Sequence, residues 1–162
     1  MNFYSKDEVY VIALDFDGTI SKRPFSRAPL DEAPQEGFVW FYREICTNHP
    51  EVVMVLHTTR YLEGDNDYWS TRKYLERWGL TKIYFPKRDG HTFKNMEGEV
   101  YQPFAHYGVN SKLPFAICID DRNIGTPILQ NGELDWHWIY EMIEEDLRQC
   151  EAYWKEKDNA CE

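Results

Sequence analysis

The chain has 162 residues, with 18 basic against 28 acidic side chains and a net charge of −10. That length belongs to one compact domain, and 43% apolar residues are enough for a full core, which excludes a disordered chain. The acidic balance argues against a surface that follows long nucleic acid, while leaving room for a small basic pocket.

Taken in chain order, residues 1–8 are polar and lack a signal-type apolar stretch. The first apolar run, Val9-Tyr-Val-Ile-Ala-Leu14, stops at Asp15. Phe38, Phe41, Tyr42 and Ile45 then recur at helical spacing, and Pro50 follows where that helix should have stopped. A second run, Val52-Val-Met-Val-Leu56, ends at His57-Thr58-Thr59-Arg60. Trp69, Leu75 and Trp78 mark one face of a second helix, with Asn66 or Asp67 as N-cap and Gly79 as C-cap. Lys82-Ile-Tyr-Phe85 is a shorter run, expected nearer a sheet edge. Residues 86–110 show weak periodicity and read as a long loop, a possible lid or substrate loop. A third run, Phe115-Ala-Ile-Cys-Ile119, ends at Asp120-Asp121. After Asp135, the positions Trp136, Ile139, Ile143, Leu147, Cys150 and Trp154 step by three or four, which predicts a long amphipathic helix. Its acidic stretch Glu144-Glu145-Asp146 reads as a solvated face.

Runs of five or six residues without polar alternation are the mark of strands buried on both faces of a parallel sheet. Strands alternating with helices predict an α/β fold, and the absence of a linker or repeat predicts one domain over residues 1–162. Cys46, Cys118, Cys150 and Cys161 lie far apart with no metal or redox spacing, and are expected as reduced thiols. No apolar run approaches the ~20 residues that cross a bilayer, so a soluble, cytoplasmic protein without a membrane partner is expected.

Ligands of open parallel sheets sit beyond the carboxyl ends of the strands. Here three buried runs deliver Asp-x-Asp, Thr-Thr-Arg and Asp-Asp to that edge. One Asp after an apolar run is ordinary turn or cap chemistry; three such endings together point to phosphate or metal chemistry. In the first, alternation of an extended chain puts Asp15 and Asp17 on one side with Phe16 turned away. Gly18 lets the backbone turn tightly and approach a ligand. His57 reads as a packed, hydrogen-bonded histidine, and the five histidines show no zinc spacing.

The string Leu14-Asp15-Phe16-Asp17-Gly18-Thr19-Ile20 resembles the first signature of the haloacid dehalogenase superfamily, whose phosphatases use Asp-x-Asp-Gly-Thr. Thr58 after the second run resembles the second signature. Lys112, eight residues before Asp120, matches the lysine of the third, and Ile119-Asp120-Asp121-Arg122-Asn123 resembles the fourth. The resemblance implies a three-layer Rossmann-like fold, with a mostly parallel sheet flanked by helices. With Thr58 only 39 positions after Thr19, no large cap domain fits there.

The resemblance further implies a Mg2+-dependent phosphomonoester hydrolase with Asp15 as nucleophile, Asp17 as general acid and base, and Thr58 and Lys112 on the phosphoryl group. Like charges 4 Å apart repel by ~4 kcal/mol at an effective dielectric of 20, so a carboxylate attacking a phosphate dianion needs a cation. Asp15, Asp17 (through its carbonyl), Asp120 and Asp121 are the implied Mg2+ set, with the order of Asp120 and Asp121 left open. Gly18, Thr59, Arg60, Lys87 and Arg88 are the candidate substrate contacts, and Lys87 stands in reserve for Lys112. The basic cluster of Lys82, Lys87, Arg88, His91 and Lys94 reads either as a solvated loop or as a funnel for an anion. The expected partner is a small phosphorylated substrate, in one version a nucleotide or a polynucleotide end, with no long nucleic acid; a homo-oligomer would supply a lid to an open site. The contrasting reading is a non-catalytic phosphate-binding regulatory protein, which should have lost Asp15, Asp17 or Lys112.

Overall fold

The computed structural model describes residues 9–23, 30–61, 65–87, 92–102 and 116–160. Strand β1 (Val11–Leu14) is buried along its whole length. It lies between β2 (Val53–Leu56) and β6 (Ile117–Ile119), parallel to both. In this register Leu14 stands opposite Leu56 on one side and Ile119 on the other. The fold is thus mixed α/β around a small parallel sheet with three helices, as the apolar runs predict.

Successive side chains on these strands point to opposite faces, and the two faces are covered differently. Ile12, Leu14, Met54 and Leu56 belong to the main core, with buried side chains from all three helices. Val11, Ala13 and Val55 face a smaller cluster closed by Phe93, with Tyr84, Tyr101 and Cys118 packed against it. Among the described residues, that second cover is supplied by strands and not by a helix. Strand β6 is less buried than β1 because it borders an open groove of about 610 Å³, lined by Ile124, Trp138 and Met142 among others.

Helix α1 (Glu36–Asn48) buries Phe38, Phe41, Tyr42 and Ile45, the four positions that the spacing selects. Gln35 occupies its N-cap position without capping it, because its side chain is engaged elsewhere. Nε2 donates to the Gly18 carbonyl at 2.7 Å, while Oε1 accepts from the Leu134 backbone N–H at 3.0 Å and from the Trp136 indole N–H at 2.9 Å. One fully buried amide thereby joins the turn after β1 to the start of the last helix.

Helix α2 (Asp65–Arg77) starts before Asn66 and Asp67, which therefore lie inside its first turn rather than at its cap. Its buried face is Thr71, Tyr74 and Leu75, and the expected Trp69 and Trp78 are 50% and 40% exposed. The stripe follows Tyr68, Thr71 and Leu75 at spacings of three and four, and Trp69 instead carries the Arg72 guanidinium 5.5 Å above its ring. Gly79 ends the helix at φ +70, with the Leu80 N–H returning to the Leu75 carbonyl at 2.9 Å.

Tyr84 lies parallel to Val55 and exchanges backbone hydrogen bonds with Met54 and Leu56, so the short fourth run does sit outside β2. The chain then leaves this sheet. β3 (Phe85–Pro86), β4 (Phe93–Lys94) and β5 (Val100–Tyr101) form an antiparallel meander. The stretch expected as a long loop thus contains two strands, too short for alternation to reveal.

Helix α3 (Trp136–Ala160) is capped by Asp135, whose Oδ1 accepts the Trp138 N–H at 3.1 Å. Trp136, Ile139 and Ile143 are buried, whereas Leu147, Cys150 and Trp154 are half-buried as the helix runs off the core. Its acidic stretch is not simply solvated. Glu144 accepts from His49 at 2.6 Å, which together with Tyr140 holds its carboxyl below the usual range, and Asp146 accepts from Tyr10 at 2.8 Å. Cys46, Cys118 and Cys150 are free thiols, as expected, and Cys161 lies outside the described residues. Among the described residues no helix is long and apolar enough to cross a membrane.

Gln35→Leu would strand three buried polar groups, so the unfolding free energy measured in urea should fall by about 3 kcal/mol. A fall below about 0.5 kcal/mol, the range of an ordinary surface change, would show that Gln35 does not hold these segments together.

Candidate metal centre

The parallel ladder continues one residue beyond the strands. The Asp15 N–H donates to the Ile119 carbonyl at 2.9 Å, and the His57 N–H donates to the Leu14 carbonyl at 2.7 Å. Asp15, Thr58 and Asp120 therefore leave the sheet at the same edge. Asp15, Asp120 and Asp121 each bring a carboxylate oxygen within 4.8 Å of the other two, and all three residues are half-buried. Thr58 hydrogen-bonds Asp15 through its side chain, and the Phe16 backbone does so as well.

These groups crowd one another. Burial, reinforced by the charges of Asp120 and Asp17, raises the Asp15 carboxyl to about 6 against the pull of the Phe16 and Thr58 hydrogen bonds. The Asp121 carboxyl is also raised, by burial first and then by its contact with Asp120. Its Oδ1 is buried without a hydrogen-bond partner, although its backbone N–H is held by Thr19 Oγ1 at 3.0 Å. An orphaned carboxylate oxygen within a set of three hard oxygen donors fits a divalent cation such as Mg2+. Gly18 permits this arrangement: it sits at φ +76, and a Cβ there would collide with Asp121 Oδ2.

The Asp17 carboxylate is not part of that set of carboxylate oxygens. Both of its oxygens accept hydrogen bonds from Arg60, Oδ2 from Nε at 2.7 Å and Oδ1 from Nη2 at 2.6 Å. The two side chains are 7% and 2% exposed. Arg60 belongs to a 3-10 turn over Thr59–Tyr61 directly after β2, and its guanidinium lies 5.0 Å above the Phe16 ring. Phe16 in turn meets the edge of Tyr74 at 5.2 Å. Arg60 was expected at the substrate and is instead a buried counter-ion, because an unpaired Asp17 carboxylate could not be left in this interior.

The remaining candidates divide. Gly18 and Thr58 are at the cluster. Thr59 is exposed at the start of the 3-10 turn, and Lys87 is exposed at the end of β3, with its N–H bonded to the Thr92 carbonyl at 2.7 Å. His57 is exposed rather than packed. Lys112, Arg88 and His91 lie outside the described residues. Two supporting residues escape the sequence reading: Thr19, whose hydroxyl fixes Asp121, and Gln35, which holds Gly18. Thr19 stands within the first motif and was findable there; a lone Gln before a helix reads only as a cap.

The Asp15 carboxyl is raised in the folded state, so the folded protein binds its proton more tightly than the unfolded chain does. The stability of the metal-free protein should therefore fall as pH rises from about 4 to about 6, by on the order of 3 kcal/mol for this group. Asp15→Asn should remove that part of the slope; identical pH–stability curves for the two proteins would contradict the burial of Asp15.

No protein-family model, curated protein or solved structure matches this chain.

Proposed function

We propose that this chain is a Mg2+-dependent phosphomonoester hydrolase of the haloacid dehalogenase type, acting through an aspartyl-phosphate on Asp15. The observation that carries this reading is the meeting of Asp15, Asp120 and Asp121 oxygens within 4.8 Å at the carboxyl ends of β1 and β6. The resemblance of these segments to the superfamily's signatures supports it from the sequence side.

Asp15, Asp120 and Asp121 would hold the ion. Bound Mg2+ supplies charge neutralisation between the phosphate dianion and the carboxylates around it. Asp15 is ionised above its raised pKa of about 6 and is the nucleophile: one carboxylate oxygen bonds to phosphorus as the bond to the leaving oxygen breaks. Asp17 enters the cycle protonated and gives that proton to the leaving oxygen. It then takes a proton from the water whose oxygen attacks phosphorus, releasing inorganic phosphate and restoring the Asp15 carboxylate. Thr58 orients Asp15 by its hydrogen bond. Lys112 belongs to the same proposed set by sequence position, as the cation beside the phosphoryl oxygens.

A dehalogenase expels halide and has no use for a proton donor two residues after its nucleophile, so Asp17 favours phosphoryl transfer. The substrate is a small phosphorylated molecule. Nucleotides and 3′-phosphorylated oligonucleotides belong in the same assay, because the exposed Lys87 after β3 suits either.

Purified protein should release phosphate from an aryl phosphate with Mg2+ and stop on chelation. Asp15→Asn should lower the rate by about three orders of magnitude or more. Mg2+ should also raise the melting temperature of the wild type and not of Asp120→Asn/Asp121→Asn, since a ligand that binds only the folded state stabilises it. Turnover that survives Asp15→Asn in a clean preparation would remove the nucleophile assignment. A Mg2+-dependent shift with no turnover on the whole panel would favour the non-catalytic phosphate-binding reading.

A further inference from the structure

Asp17 already has a part in the proposed chemistry, but its buried partner Arg60 has none. The geometry of the pair is tightly constrained. The Arg60 guanidinium is planar and meets the carboxylate with two parallel hydrogen bonds, of 2.7 and 2.6 Å, which fixes the plane of the carboxylate as well as its place. Below the guanidinium lies the Phe16 ring at 5.0 Å, itself buried and braced by Tyr74 of α2. The carboxylate comes from the turn after β1 and the guanidinium from the turn after β2. The pair therefore also ties together two of the segments that build the metal centre.

Arg60 is 2% exposed, and its Nε and Nη2 are directed at Asp17. That is unsuited to gripping a substrate that arrives from solvent. Each Asp17 oxygen uses one lone pair on Arg60 and keeps another. The clamp therefore sets the direction of Asp17, and the remaining lone pair on an oxygen is where the proton that Asp17 gives and later recovers would sit.

From this we infer that Arg60 is a positioning residue, acting on the reaction only through Asp17. It holds the carboxylate in one plane and one direction for proton transfer to the leaving oxygen and from the attacking water. This rests on the phosphatase reading above. A misplacement of about 1 Å in such a group costs on the order of 100-fold in rate.

The test is a kinetic double-mutant cycle on the full chain with an aryl phosphate and Mg2+, using Asp17→Asn, Arg60→Met, Arg60→Lys and Asp17→Asn/Arg60→Met. Arg60→Met should lower kcat about 10- to 100-fold and leave KM within about 2-fold, the signature of a lost transition-state contribution. Arg60→Lys keeps the charge without the fork and should recover only part of kcat. The double variant should be no slower than Asp17→Asn alone, because Arg60 has nothing left to position. Arg60→Met strands a buried carboxylate; should it fail to fold, Arg60→Lys and the double variant, which strands no charge, still decide the matter. A KM that rises while kcat holds would make Arg60 a substrate contact and overturn the inference. So would a double variant whose loss is the product of the two single losses. Either result in a wild type that turns over and depends on Asp15 would leave the phosphatase reading standing. A wild type inactive on every phosphoester would instead overturn that reading itself, and the kinetic role of Arg60 with it.

Discussion

The register of β1 between its two parallel neighbours governs everything at the candidate site. Leu14, Leu56 and Ile119 are level across the sheet, so the residues that follow them emerge at one edge. The side-chain period of a strand is two, and each face of this sheet is packed, one on the helices and one on the meander. A slip of one residue would turn Ile12 and Leu14 out of the main core and draw Asp15 or Asp120 into the sheet. Packing of the interior and placement of the carboxylates are therefore the same constraint seen from two ends.

Four acidic side chains gathered at one edge raise an electrostatic problem, and the protein meets it in two ways. Asp17 receives its own cation, Arg60, in a closed and stacked pair. Asp15, Asp120 and Asp121 form no ion pair with a cationic side chain among the described residues, and burial holds the carboxyls of Asp15 and Asp121 above the usual range. A bound divalent cation would relieve that cost. The uncharged residues around the cluster have matching reasons. Gly18 leaves space for the Asp121 carboxylate, Thr19 secures the Asp121 backbone, and Gln35 anchors Gly18 to the distant α3.

Much of this was legible in the chain, because the strongest signals were dense and local. The first two apolar runs identify β1 and β2, and the helical spacing of Phe38, Phe41, Tyr42 and Ile45 gives the buried face of α1. Where the reading failed, the residues were amphipathic or the elements short. Trp69 and Trp78 count as apolar in any periodicity, yet Thr71 and Tyr74 took the interior of α2 because their neighbours fitted them. The strands β4 and β5 have two residues each, and two residues carry no period. Glu144 and Asp146 looked like a solvated face because His49 and Tyr10, which bind them, are 95 and 136 residues away in sequence.

The sequence by itself determined the alternation of strands and helices, the carboxylates at the strand ends, and the glycine beside them. Those properties follow from hydrophobic runs and the conformational limits of single residues, which act over a few neighbours. Only the tertiary structure decided that Asp121 joins Asp15 and Asp120 while Asp17 turns to Arg60, 43 positions further along the chain. Which carboxylate receives a guanidinium and which gather without one depends on the three-dimensional meeting of the turns after β1 and β2. No spacing along a one-dimensional chain encodes that distance.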